Sequence, residues 1–250
     1  MERWISELRQ SLRSLLRRPG FLAVVFLTLG LGIGANTAVF SVIRGVLLGS
    51  LGFPQPGQLV MVWQTLPQLG IEAEAASPAL FEDWRHMNGT FEAMSAFDVG
   101  IASLHLGETP EAVEVARVSP AFFSLLGVEP LHGRTLTLDE ASPELASEVV
   151  LSYGLWSRLL GEDPAVVGRP LKIGSESYSV VGIMPEGFKF LTDTEIWMPL
   201  VFSTEDLVDR GDVFLRVVGR IRDGVTLEGA QANLDAVAEN LAKEYPEVHR

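Results

Sequence analysis

The sequence predicts an α+β protein: one N-terminal transmembrane helix followed by a two-lobed, mixed α/β extracytoplasmic domain. Three observations lead there. An uncharged run of 23 residues, Phe21 to Ile43, follows an arginine-rich head. From residue 59 onward, short alternating apolar stretches are interleaved with capped, helix-periodic ones, in mixed order. No internal repeat or low-complexity tract interrupts that order.

The head, residues 1–18, reads as a cytoplasmic amphipathic helix. Trp4, Ile5, Leu8, Leu12, Leu15 and Leu16 recur at helical spacing. Arg9, Arg13, Arg17 and Arg18 lie mostly between them. A cationic helix with one Trp/Leu face suits an anionic lipid surface, so Trp4 and these four arginines are candidate membrane-interface residues. Pro19-Gly20 then breaks the helix.

Residues 19–48 contain the transmembrane segment. As a helix its 23 uncharged positions would span ~34 Å at ~1.5 Å per residue, enough to cross a ~30 Å hydrocarbon core with some tilt. A secretory signal peptide has a shorter apolar region, ~7–15 residues, so the length favours a retained anchor. The arginines fix its direction: the N-terminus stays inside and everything after Arg44 lies outside. Gly30, Gly34 and Ala38 fall one turn apart on one face, where small residues let another transmembrane helix approach closely. The Gly30-x-Gly32-x-x-Ala35 spacing imitates a dinucleotide fingerprint, but the apolar run continues on both sides and the next acid is Glu72.

Residues 49–250 form the outside domain. LGFPQPGQ, Leu51 to Gln58, is a turn-rich linker. Strands are expected over 59–66, 97–106, 113–118, 147–152, 169–173, 177–183, 196–200 and 213–222. The 169–173 and 177–183 strands are expected to form a hairpin around Gly174-Ser175. Ser77 followed by Pro78 caps a helix over 78–87. A short helix over 121–126 ends at Gly127, and another runs over 153–160. Thr226 caps a helix to Glu244, with Leu227, Ala230, Leu234, Val237 and Leu241 on one face. The unit β (59–66), α (78–87), β (97–106) and the later β (213–222), α (226–244) make a split βαβ lobe around a strand-rich insertion. The second half lacks its closing strand, so the domain is expected to be cut short at Arg250.

Composition limits the chemistry. The net charge is −13, with 32 acids against 19 bases, which disfavours nucleic acid as a partner. Five arginines and two acids give residues 1–18 a charge of +3, leaving −16 for the rest, an asymmetry that points to a membrane. There is no cysteine, hence no disulfide, zinc–thiolate site or thiol nucleophile. No phosphate-cradling ATPase loop, nucleophile elbow or helical His pair occurs, and His86, His105, His132 and His249 are dispersed. The adjacent acids Glu82-Asp83 and Asp139-Glu140 read as solvated faces. Trp63, Trp84, Trp156 and Trp197 read as core. No catalytic residue, cofactor or metal ligand is therefore expected.

Three ordered blocks carry a resemblance. They are LRRPGF with GIGANTAVFSVI (Leu16–Phe21, Gly32–Ile43), VSPAFFSLLGVEPLHGRTL (Val118–Leu136), and GEDPAVVGRPLKIGSESYSVVGIMPEGFKF (Gly161–Phe190) followed by Trp197–Leu200. Together they resemble an ABC-transporter permease of the MacB/FtsX type with a MacB-like periplasmic core domain. The resemblance implies a porter-like split βαβ lobe in a bacterial inner-membrane protein with its main domain periplasmic or extracellular. It implies a cytoplasmic ABC ATPase partner, whose ATP-driven motion the permease helices relay outward. It also implies other permease helices or a second permease copy packing on Gly30, Gly34 and Ala38, and a periplasmic adaptor. Such permeases have three or more further transmembrane helices, which residues 44–250 do not supply, so this chain is expected to be a fragment or truncated product. The residues alone leave a second reading, a single-pass tethered binding or sensor domain.

Overall fold

The computed structural model describes residues 53–66, 70–107, 109–136 and 147–245. The strands among them are β1 (Leu59–Val62), β2 (Gln64–Leu66), β3 (Ile71–Glu74), β4 (Phe91–His105), β5 (Glu111–Val118), β6 (His132–Gly133), β7 (Glu148–Leu151), β8 (Pro170–Ile173), β9 (Glu176–Ile183), β10 (Ile196–Pro199) and β11 (Arg216–Ile221). The α-helices are α1 (Pro78–Met87), α2 (Phe122–Leu126), α3 (Tyr153–Leu160) and α4 (Leu227–Glu244). Among the described residues no helix is long and apolar enough to cross a membrane. The expected head helix and transmembrane segment lie outside the described residues.

Nine strands form one sheet, and β2 and β3 a separate two-stranded one. At one side, β11 lies between β1 and β4 and is antiparallel to both, with Arg220 opposite Leu59 and Ala93. β1 and β4 are thus parallel neighbours of a shared central strand, the arrangement of a split βαβ unit. Helices α1 and α4 pack beside each other here, and Asn233 accepts from the Gly89 amide at 3.0 Å. Their apolar faces bury Phe81, Trp84, Val237 and Leu241 against Met94, Val217 and Ile221.

At the other side the strands close into a ring. β4 pairs with β5, β5 with β10 in parallel, β10 with β7, β7 with β9 in parallel, and β9 with β8. β8 returns to β4, Ile173 opposite Leu104, and completes six strands. Its filling is aliphatic, with Leu104, Val149, Leu151, Val180, Ile183 and Ile196 buried and α3 laid over them through Leu155 and Trp156.

One sheet therefore runs through both expected lobes. The cause is β4: at 15 residues it is ~50 Å long at ~3.3 Å per residue, so one end serves the split unit and the other the ring. It begins six residues before the expected start at Phe97. Met94 to Phe97 are consecutively buried, so this half shows no alternation for a period-two reading to detect.

The two expected caps act as such: Ser77 Oγ accepts from the Leu80 amide at 3.2 Å and Thr226 Oγ1 from Gly229 at 3.1 Å. Ser152, expected only as the end of a strand, also caps a helix, its Oγ accepting from Leu155 at 3.0 Å. Two residues depart from the expected core. Leu227 is exposed together with the rest of the first turn of α4, and burial of that face begins at Ala230. Trp63 is partly exposed at the break that divides the expected 59–66 strand into β1 and β2.

Candidate functional site at the docked linker

The segment ahead of β1 is held against the sheet. β11 is buried along almost its whole length, and alternation sends Val217 and Ile221 toward α1 and α4. Val218 and Arg220 consequently face the opposite side, where α2 and residues 53–58 lie.

Phe53 is buried in an aromatic group. Its ring centroid is 6.0 Å from Phe188 and 5.9 Å from Phe190. Phe190 meets Phe122 at 5.3 Å and Phe97 at 5.6 Å, and Phe188 meets Trp197 at 5.2 Å. Most of these pairs are edge-to-face or tilted, the geometries that the ring quadrupoles favour. α2 supplies Phe122 and Phe123, and the segment between β9 and β10 supplies Phe188 and Phe190. The two longest sequence blocks, 118–136 and 161–190, thus meet on the linker.

Pro54 lies over the end of α2. Gly127 closes that helix with φ +68°, and a Cβ there would stand 2.9 Å from Pro54 Cγ. Glycine is required twice over, by the left-handed backbone and by the close approach.

Arg220 ties the parts together, 7% exposed. Its Nε donates to the Leu125 carbonyl at 2.9 Å, one of the carbonyls a helix end leaves unpaired. Its Nη1 donates to the Pro54 carbonyl at 3.1 Å, with the Gln55 carbonyl and Gln58 Oε1 each at 3.5 Å. Gln58 Nε2 donates to Asp223 Oδ1 at 2.5 Å. The arrangement has no nucleophile or acid–base pair. It is suited to holding a chain segment rigidly against a sheet.

The second glycine contact lies on β9. A Cβ on Gly182 would run into the Arg134 carbonyl, and one on Gly133 into the Val181 carbonyl, so the two backbones meet only without side chains.

The sequence-derived site residues Trp4, Arg9, Arg13, Arg17, Arg18, Gly30, Gly34 and Ala38 lie outside the described residues. Glu82 and Asp83, adjacent in sequence, take different partners: Glu82 bonds Arg85 and Asp83 bonds Arg210. Among the described residues no group of three or more His, Asp or Glu is placed to hold a metal. Sequence reading passed over Phe53 and Arg220. The available signal for the second was a charge inside the apolar run RVVGRI.

Known proteins place this geometry. No curated protein matches the chain in sequence. Three solved structures share its fold. A domain of a putative permease protein from Porphyromonas gingivalis has a TM-score of 0.61 at 18% identity, covering 78% of this chain and 88% of that one. The extracellular domain of the noncanonic ABC-type transporter YknZ from Gram-positive bacteria has a TM-score of 0.55 at 13% identity, covering 75% and 95%. The periplasmic region of MacB from Actinobacillus actinomycetemcomitans has a TM-score of 0.54 at 12% identity, covering 76% and 85%. The family described as MacB-like periplasmic core domain matches residues 22–237, most of the sequence, and the chain belongs to that family.

Proposed function

We propose that this chain is the membrane-anchored N-terminal part of an ABC-transporter permease, and that residues 53–58 pass motion from the anchor to the extracytoplasmic domain. The observation that carries the reading is the linker. Only nine residues separate Ile43, the end of the uncharged run, from Phe53, and from there the chain is packed against the sheet. A loose tether would need no such docking, whereas a relay needs the segment engaged with the sheet while motion is passed.

In this reading residues 1–18 lie on the cytoplasmic leaflet through Trp4 and the arginines, near an ATPase subunit that hydrolyses the ATP. Residues 19–48 cross the inner membrane once. Gly30, Gly34 and Ala38 pack on other permease helices or a second copy. Residues 49–250 form the periplasmic or extracellular domain, in which the split βαβ unit is the porter-like lobe and the six-stranded ring the insertion. The exposed face of that domain is available to a periplasmic adaptor.

Two measurements test it. The sequence has no cysteine, so single cysteines report topology cleanly. Ile101→Cys, at an exposed position of β4, should react with a membrane-impermeant thiol reagent in intact cells, and Arg9→Cys should not. The expressed chain should co-purify with a cytoplasmic ABC ATPase. Correct topology without any ATPase would instead favour a single-pass binding or sensor domain. Labelling of Arg9→Cys from outside would overturn both.

A further inference from the structure

We propose that the linker Phe53–Gln58 is a releasable latch, with Arg220 as the positioning residue that holds it shut. Two features of the docked state point to release. The guanidinium is buried, yet no carboxylate lies within salt-bridge distance of it among the described residues. Its partners are neutral: three backbone carbonyls and one amide oxygen, two of them at 3.5 Å. Its Nη2 is buried with no hydrogen-bond partner among them. A buried cation satisfied this incompletely gains solvation when the segment covering it lifts away.

The second feature is in the linker. Gln55 sits at φ 48°, ψ 57°, the left-handed conformation that a residue with a Cβ avoids. Lifting the segment would let Gln55 return to an ordinary conformation. Pro54 meanwhile sits where a Cβ on residue 127 would stand, so this packing depends on Gly127 and belongs with the terms that keep the segment docked.

Against these stand the burial of Phe53 and the two closer Arg220 bonds, which hold the latch shut. With terms on both sides, the released state is a minor population beside the docked one. The ends of the latch also differ in kind. Phe53 fits an apolar group already filled by other rings, whereas Arg220 acts through direction-dependent bonds. Loss of the Arg220 bonds is therefore enough to open it while the sheet stays intact. The use of such a latch in relaying motion rests on the permease reading; its existence does not.

The test is spin-label distance measurement on the full 250-residue chain in detergent micelles. Nitroxides at Gly57→Cys, where a Cβ meets open space, and at the exposed Glu129→Cys report linker position. A control pair at Ile101→Cys and Ser177→Cys reports the ring. Wild type should show one dominant linker distance with a minor second population. Arg220→Lys, which keeps the charge and loses the planar fork, should raise the released fraction about tenfold. Gly127→Ala, which pushes on Pro54 from the other side, should do likewise. The control distance should not change in either variant. A single unchanged linker distance in all three proteins would overturn the latch. So would broadening of the control pair in step with the linker pair, since Arg220 would then be a structural residue of the whole sheet. An absent ATPase partner would leave this readout untouched.

Discussion

Arg220 and Pro54 are joined by a 3.1 Å hydrogen bond across 166 positions of sequence, which fastens the start of the described domain to a strand near its end. The bond closes the split βαβ unit on the side away from α1 and α4. It also brings the linker under α2, where Arg220 and the Phe53 ring both hold it.

The aromatic group predicts a large effect from Phe53. Phe53→Ala removes a buried ring that touches Phe188 and Phe190, and the rim of the domain cannot fully collapse into the gap. The expected loss is about 3 kcal/mol, or about 6–12 °C in Tm for a domain of this size. Thermal unfolding followed by circular dichroism measures it. A shift below about 2 °C would mean that Phe53 is not docked in solution.

The glycines separate close approach from ordinary strand positions. Gly182→Ala places a methyl against the Arg134 backbone and should cost well over about 2 kcal/mol, because backbone cannot rotate aside as a side chain does. Gly100→Ala, in β4 with open space around the new Cβ, should be neutral or stabilising by up to about 1 kcal/mol. Urea unfolding of the two variants beside wild type decides the point. Equal effects would mean that β6 does not approach β9 as closely as described.

Much of the fold could be read from local chemistry, and the parts that could not have a common cause. α1 matches its expected span because Ser77-Pro78 is a clear start; α3 also matches, although the Ser152 cap and the Gly161 stop at φ +61° that bound it were not singled out. The β8–β9 hairpin follows from Gly174. The first half of β4 was hidden by burial on both faces, which erases alternation. The ring was hidden because its closure, Leu104 to Ile173, depends on register between distant strands. Leu227 has the right period for the α4 face and is still exposed, since periodicity fixes direction and not where along the helix burial begins. The linker looked like turn chemistry alone: Phe53 is one aromatic among prolines, and its partners lie more than 130 residues on. The expected membrane residues fall outside the described part, so the site that emerged is one the sequence did not mark.

At the opposite end of α4, Arg210 joins three elements. Its Nη1 donates to Asp83 Oδ2 of α1 at 2.6 Å, and its guanidinium carbon lies 3.7 Å from the centre of the Tyr245 ring. Burial is the largest influence on Arg210 and lowers its pKa, but the bonds and charge of Asp83 and then Tyr245 outweigh it, leaving a net rise. This pair is more enclosed than Arg85–Glu82, which lies along one helix. A double-mutant cycle with Arg210→Met and Asp83→Asn should give a coupling of about 1–2 kcal/mol, against about 0.3–0.5 for Arg85 and Glu82. Equal couplings would show that the Arg210 pair is no better shielded than a surface one.

Tyr178 makes the alkaline limit of stability specific to one strand. It lies on β9, half-buried, and its hydroxyl donates to Glu176 Oε2 at 2.7 Å. Burial first, and then the bond and charge of Glu176, push its pKa from 10.0 up to about 12. A raised value in the folded state means that the fold favours the neutral phenol. The associated stabilisation is complete below pH 10.0 and disappears as pH rises through about 12. Over that window the unfolded chain releases the proton and the folded one retains it, so alkali draws the equilibrium toward unfolding. Tyr178→Phe has no proton to lose there. The variant should therefore show a flatter fall in stability between pH 10.0 and about 12, while being slightly less stable at neutral pH for want of the Glu176 bond. Tyrosinate absorbance should lose its latest-titrating step in the same variant. Tyr153, raised by its bond to Glu162 and by that charge, remains as the internal comparison. An identical alkaline profile in Tyr178→Phe and wild type would show that the phenol is solvated and that β9 is not packed as described.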